Sequence, residues 1–543
     1  MATHDSYHDA QLLIDEKIAD LTAHTQQAIR LLKTHRNELA PVSKLPNEIL
    51  QHIFLVWRDL AYFDPKDWYQ VTHIYRHWRC VAVGSPLLWT RLYATPPALT
   101  QLMLERSQSA PLEVELKMDS KSKHAISALP IILRELKRIR TLTLSWMPVS
   151  ILDTINDILA GLGRDWEASL LESLCIHTDF KSGPRPTSVK ILTDVIRPTR
   201  LLRNLSLTNG YYNWDTLPLP SLTHLNLHAE PLGEVSGAQF METLRHMQNL
   251  EDLKLRWESF NIGQFPPIPR PQPIHLPSLR KLDIWDGNEA HLQSFLSLVT
   301  HPKLHQLNVN PCSYTVIDIV TFTKSVLRSI GKANFEPLEY LRIELGWITI
   351  SRPPKASIYT DNDESSADFF LHAEGEQNDI LNGGTPFEYI VDFMPCLTSL
   401  DYMDRIPLRR ICLDSTDAPI GEFTRLFASL PHLETIEVHH KLALVLFKAL
   451  NITSTADGAI PATSIPFPNL RTIIWHHHPY KAAAPLLSST TFSDLYSGLL
   501  SRHVGGVPIT RLELGICEVF DDIQNSQLKE IGVEVVILEE EEY

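Results

Sequence analysis

Two histidine-rich runs, His439-His440 and Trp475-His476-His477-His478-Pro479-Tyr480, hold the residue types best suited to metal chemistry. Imidazole nitrogens bind zinc-class ions, but a site needs three or four donors converging on one point. Neighbouring residues of a strand face opposite ways, so such histidines reach one ion only where the fold sets further ligands beside them. His73 and His77, four apart, share a helical face, with no third donor near in sequence. The acidic run Asp361-Asn362-Asp363-Glu364 lies in a turn-rich stretch where nothing positions carboxylates for acid–base work. All of these read as polar surface, and neither a metal nor a cofactor is expected. The chain also has no G-x-x-x-x-G-K-[ST] phosphate loop, H-E-x-x-H helix or G-x-S-x-G nucleophile turn. The reading is a binding protein, not an enzyme.

Binding chemistry needs elements that present side chains, and one short pattern supplies them. L-x-x-L-x-L, with Ile or Val substitutions, returns as Ile139–Leu144, Leu171–Ile176, Leu202–Leu207, Leu222–Leu227, Leu250–Leu255 and Leu279–Ile284. It continues as Leu304–Val309, Leu338–Ile343, Leu408–Leu413, Leu433–Val438 and Ile509–Leu514. Pro220, Pro277, Pro302, Pro395, Pro431 and Pro468 each stand in P-x-L-x-x-L or P-x-L-x-x-I, many of them two residues ahead of a copy. Proline cannot donate a hydrogen bond and suits a turn that ends a helix and launches a strand. Segments such as "GEVSGAQFMETLRHMQ" and "GEFTRLFASL" between the copies have helical spacing. Strand, turn and helix recurring at roughly 20 to 39 residues overlap the leucine-rich repeat class, without its usual following Asn. The expected fold class is therefore α/β: N-terminal helices with a small all-α domain, then an irregular leucine-rich-repeat-like solenoid over 110–543.

Period-two alternation aims the residues between the consensus positions at the opposite face of each strand. That nominates Lys254, Arg256, Asp283, Trp285, Asn308, Asn310, Arg342, Glu344, Glu437 and His439 as the face that meets a protein substrate. Arg256 and Trp285 lead, because Arg and Trp anchor interfaces. Residues 351–384, acidic and turn-rich, read as a mobile insert.

The length of 543 residues exceeds what one core holds, and 44% hydrophobic with 21% charged residues is a globular composition. A net charge of −15 disfavours a nucleic-acid partner, whose binding needs cations to release counterions. Six dispersed cysteines without a CxxC pair fit reduced thiols, hence a cytoplasmic or nuclear residence. "MATHDSYHDAQLL" lacks a signal-peptide pattern, and no stretch is apolar enough for a membrane span.

Residues 1–41 carry an amphipathic helix whose seam runs Ile14, Ile18, Leu21, Thr25, Ala28, Leu32, His35 and Leu39. It suits packing on its own domain as well as a coiled-coil dimer. Pro41 ends it. Three short helices follow within 42–95. Leu45-Pro46, Glu48, Ile49, Leu50, Ile53 and Phe54, then Val71, Ile74, Trp78, Arg79 and "SPLLW", resemble an F-box over about residues 42 to 92. The chain is similar to fungal F-box-like proteins with a degenerate leucine-rich C-terminal region. The insert "RDLAYFDPKDWYQ" and Tyr75, where the family often has Cys, depart from the pattern.

The resemblance implies that this unit docks on the Skp-family adaptor of a cullin–RING ubiquitin ligase while the repeats hold the substrate. Its adaptor-binding residues would be Leu45, Pro46, Ile49, Leu50, Ile53, Phe54, Val71, Ile74 and Trp78. Independently, a unit this small has more apolar positions than its own core needs, and a partner helix pair could cover the surplus. A scaffold outside ubiquitin transfer, in which the unit only caps the repeats, stays open.

Overall fold

The structure is a computed structural model. It describes residues 2–60, 67–118, 123–161, 168–179, 201–208, 220–229, 237–257, 273–286, 289–311, 324, 326–328, 339–344, 347–351, 369–372, 387–397, 407–413, 418–439, 442–451, 465–476, 489–515 and 520–538. The fold is mixed α/β, with N-terminal helices and parallel strands, and divides into two compact units, Met1–Leu202 and Arg203–Tyr543. The first repeat strands of the expected region 110–543 thus fall in the same compact unit as the N-terminal helices.

In the first unit, α1 (Ala2–Glu38) stops before Pro41, which opens a 3-10 turn. Its seam residues Ile14, Ile18, Leu21 and Leu32 are exposed. Then come α2 (Asn47–Leu60), α3 (Val71–Ile74), α4 (Arg76–Val83), β1 (Arg91–Leu92) and α5 (Pro97–Ser107). The Pro46 carbonyl accepts the amides of Ile49 and Leu50, which starts α2 without requiring a donor from the proline.

The core of these helices is aromatic. Leu50, Phe54, Trp68, Val71, Val81, Leu88 and Trp89 are buried, with Trp68 edge-on to Trp89 at 5.1 Å and Phe54 against Trp78 at 5.3 Å. Trp89 donates its indole N–H to the Ala82 carbonyl at 2.9 Å, so its one polar atom is satisfied inside. The core runs on into α5, where Met103 is buried and its sulfur accepts from the Tyr69 hydroxyl. β1 pairs parallel with β2 (Leu112–Lys117), followed by α6 (Lys123–Leu133), β3 (Ile139–Pro148), α7 (Val149–Gly161) and β4 (Ser173–Asp179). β2, β3 and β4 are parallel neighbours.

The second unit begins with β5 (Asn204–Thr208), β6 (His224–Ala229), β7 (Asp252–Trp257), the short β8 (Ile274–His275), β9 (Lys281–Asp286), the short β10 (Val299–Thr300) and β11 (Gln306–Pro311). It continues with β12 (Tyr340–Glu344), β13 (Trp347–Ser351), β14 (Phe369–His372), β15 (Arg410–Leu413), β16 (Thr435–His439), β17 (Thr472–His476), β18 (Arg511–Gly515) and β19 (Glu534–Leu538). Every copy of the L-x-x-L-x-L pattern ends in one of these strands or in β3 or β4. Consensus residues face one another in register, as in Leu225, Leu253, Leu282 and Leu307, and in Leu341, Ile411, Ile436, Ile473 and Leu512. All of these are buried, each contributing roughly 1.5–3 kcal/mol. The two intervening segments with helical spacing coincide with the helices Gly237–Arg245 and Ile420–Phe427.

One expectation is corrected. Within 351–384, read as a loop, Phe369–His372 forms β14, parallel to β11 and antiparallel to β13, which pairs antiparallel with β12. The parallel run is therefore broken by a reversed strand. Phe-Phe-Leu-His is an apolar, strand-forming stretch in an acidic context, and β11 and β13 supply the unpaired amides it needs. Residues 352–368 and 373–384 lie outside the described residues.

Candidate functional site

α2 is buried on one side only. At 100° per residue, Leu50 and Phe54 fall on the inward face, while Ile49, Ile53, Val56 and Leu60 line a narrow stripe on the outer one. Ile49 is 48% exposed, Ile53 43% and Leu60 74%. The carboxyl end of α2 is held by Arg58, whose guanidinium donates to the Leu87 carbonyl and pairs with Asp59. Arg91 links Asp59 at 3.0 Å to Glu113 of β2 at 2.7 Å. This polar frame positions the outer stripe without covering it.

The nine residues nominated for an adaptor separate accordingly. Pro46, Ile49, Ile53 and Ile74 are exposed, and Leu45 is half-buried. Leu50, Phe54 and Val71 are instead buried in the core of the unit, with little surface left for a partner. Trp78 is half-buried, its ring spent against Phe54. The sequence reading missed Val56, Trp57, Leu60 and Leu87, all exposed apolar groups. The spacing 49, 53, 56, 60 was the available signal for two of them.

The nominated strand-face residues form two groups. On β7, β9 and β11, Lys254, Asp283 and Asn308 share one cross-strand row, and Arg256, Trp285 and Asn310 the next. The Arg256 guanidinium lies 4.3 Å from the Trp285 ring centre, and the Trp285 indole donates to Asp283 at 2.7 Å. The two expected anchors are thus stacked on each other, not separately offered. Burial pushes the Asp283 carboxyl up, against the opposing pull of Arg256 and the Trp285 hydrogen bond. Lys254 is exposed, and the half-buried Asn308 has a side-chain oxygen without a hydrogen-bond partner. The side chains of Asn310 and Glu344 lie outside the described residues.

The second group lies on β12, β15, β16 and β17. Arg342, Cys412 and Glu437 share a row, with His439 paired to His476 further along. Glu437 is buried; one carboxylate oxygen meets Arg410 at 2.7 Å and the other meets His476 Nε2 at 3.2 Å and His439 Nε2 at 3.7 Å. Burial alone would raise its carboxyl, yet His439, His476 and Arg410 hold it well below the usual carboxylate range. His439 and His476 stack at 4.8 Å, and Arg410 sits over Tyr340. Burial, together with the nearby Cys412 and Glu437, pushes the Tyr340 hydroxyl up. Sequence reasoning passed over Arg410 and Cys412, although Cys412 holds the position in "LRRICL" that nominated Lys254 in "LEDLKL". The condition set for the histidines, further ligands folded beside them, is met. His440, His477 and His478 lie outside the described residues.

An exposed apolar helix stripe in a small aromatic unit is the geometry of a protein-docking element. Residues 42–95 match the F-box-like family model, which supports a role in protein–protein interaction. No curated protein matches the chain. Among solved structures, a crystal structure of a TLR13–ssRNA13 complex is similar at 13% identity and a TM-score of 0.28, covering 82% of this chain and 44% of that one. The chain thus spans under half the length of that protein. Among the described residues, no helix is long and apolar enough to cross a membrane.

Proposed function

We propose that the chain is the non-enzymatic substrate-recognition subunit of an SCF-type, cullin–RING ubiquitin ligase. Residues 42–95 dock on a Skp-family adaptor, and a leucine-rich-repeat-like solenoid holds the protein to be ubiquitinated. The observation that carries this reading is the exposed stripe Ile49, Ile53, Val56 and Leu60 inside the family match. A partner that desolvates this stripe gains about 25 cal/mol per Å² of apolar surface covered. Rate enhancement then comes from proximity, as the bound protein is held near a conjugated ubiquitin.

Co-purification with a Skp-family adaptor tests this. Ile49→Asp with Ile53→Asp is expected to abolish recovery of the adaptor while circular dichroism stays that of the parent, because both side chains already face solvent. Adaptor recovered undiminished would sink the proposal. A second reading, that the helices only cap the strands, draws on the continuous core into α5 and the β1–β2 pairing. It predicts that removing residues 1–95 unfolds the remainder and that no adaptor is recovered with the full chain.

A further inference from the structure

The cluster around Glu437 lies outside residues 42–95 and combines three kinds of metal donor. The Cys412 sulfur, a Glu437 oxygen and the His439 ring nitrogen lie within 4.8 Å of one another. Cys412 is not in a disulfide and is buried. Its sulfur is 3.7 Å from His439 Nε2, and Glu437 Oε1 is 3.7 Å from His439 Nε2 and 3.2 Å from His476 Nε2. Metal–ligand lengths of zinc arranged tetrahedrally put neighbouring donor atoms roughly 3.2–3.6 Å apart. The Cys412–His439, Glu437–His439 and Glu437–His476 contacts, at 3.7, 3.7 and 3.2 Å, lie close to that spacing, while the set of Cys412, Glu437 and His439 as a whole spans up to 4.8 Å and would contract around an ion.

The surroundings also suit such a site. Both histidines turn the same nitrogen, Nε2, toward the Glu437 oxygen. That carboxylate is oriented by Arg410 on its other oxygen, as ligating carboxylates usually are by a hydrogen-bonded neighbour. Gly515 lies beside His476: a Cβ there would come within 2.2 Å of His476 Nδ1. Only a residue without a side chain lets the imidazole lie flat on β18 and reach Glu437. The donors come from three adjacent strands, β15, β16 and β17, so an ion would tie the strands together.

We propose that Cys412, Glu437, His439 and His476 form a binding site for a divalent transition metal of the zinc class. Mixed thiolate, imidazole and carboxylate ligation favours zinc or cobalt over calcium or magnesium, which prefer oxygen alone. Binding replaces the Cys412 thiol proton by the metal, releasing one proton to solvent, and leaves both imidazoles neutral. The inference is independent of the ubiquitin-ligase reading, since it concerns residues outside the docking stripe and is read without any adaptor.

The test uses the full chain, reduced, stripped with a chelator and titrated with Co²⁺ and then Zn²⁺. One equivalent of Co²⁺ should bind and give a thiolate-to-cobalt charge-transfer band with tetrahedral d–d absorption, both abolished on displacement by Zn²⁺. Cys412→Ser should remove the charge-transfer band, and His439→Gln should weaken Zn²⁺ binding at least about tenfold, whereas His432→Gln, exposed on the loop before β16, should not. Gly515→Ala, a positioning variant, should weaken it by about 10–100-fold while the thiolate band persists at saturating metal. Should the ligand variants fail to fold, X-ray absorption of the zinc-loaded parent decides, with one sulfur at about 2.3 Å in a nitrogen and oxygen shell expected. An all-nitrogen-and-oxygen shell, a charge-transfer band unchanged in folded Cys412→Ser, or no stoichiometric binding overturns the proposal.

Discussion

The outer face of α2 and the strand face around Glu437 reverse the usual placement of side chains in opposite directions. The helix leaves Ile49, Ile53, Val56 and Leu60 in water, and the strands bury Glu437, Cys412 and His476. The helix face is tolerable because its cost is modest and removable: a few apolar side chains in water are ordinary, and a partner can cover them. The strand face is tolerable only because the Glu437 carboxylate is partnered within it, by Arg410 on one oxygen and by the His439 and His476 ring nitrogens on the other. A docking face depends on what is absent from the chain; a buried polar cluster depends on what is present. The first should therefore be insensitive to truncation and the second highly sensitive.

Phe54→Ala and Ile53→Ala, adjacent in sequence, give the widest test of this contrast. Phe54 is buried against Trp78, so its removal should destabilise the first unit by about 3–5 kcal/mol in chemical denaturation. Ile53 faces solvent, and its removal should stay within about 0.5 kcal/mol. Equal effects would mean that the outer stripe is packed after all. For the strand face, Arg410→Met leaves the Glu437 carboxylate without its cation. The expected loss is about 2–3 kcal/mol, below the roughly 3–5 kcal/mol of a fully buried pair, because the Arg410 side chain is 33% exposed. A neutral outcome would show that the cluster is not held together by charge.

The smallest effect is expected at Asp283, whose carboxyl is raised by burial. A carboxyl raised in the fold binds its proton more tightly there than when unfolded, so stability falls as pH rises from the unfolded pKa through the folded one. Asp283→Asn keeps an acceptor for the Trp285 indole and should be slightly more stable than the parent at neutral pH. The gain should vanish as pH falls toward the ordinary aspartate pKa of about 3.9. Thermal denaturation across that range checks the sign. A variant less stable at neutral pH would place the Arg256 pairing above the burial cost.

Most of the architecture was legible from periodicity. The L-x-x-L-x-L copies foretold their strands because consensus leucines must be buried at every second position, and that constraint is local. β14 was not legible: four residues are too few to carry a period, and its pairing with β11 spans about sixty residues of chain. At the helices, the resemblance named apolar residues but not how they divide between core and surface. Leu50 and Ile49 are adjacent and equally apolar, and only the packing of Trp68, Val71 and Trp89 decides which of them turns inward.

By itself the sequence determined which segments become helix and strand, where the family resemblance lies, and which strand positions face away from the consensus core. Those properties follow from spacings of two to four residues, which a linear chain displays directly. Only the tertiary structure decided that Arg256 and Trp285 stack on each other, and that His439 meets His476, Glu437 and Cys412. His439 and His476 are separated by a whole helix and a turn, and it is the pairing of β16 with β17 that makes them neighbours. Convergence of donors is a property of strand register, and register is set by the buried leucines on the other face of the sheet.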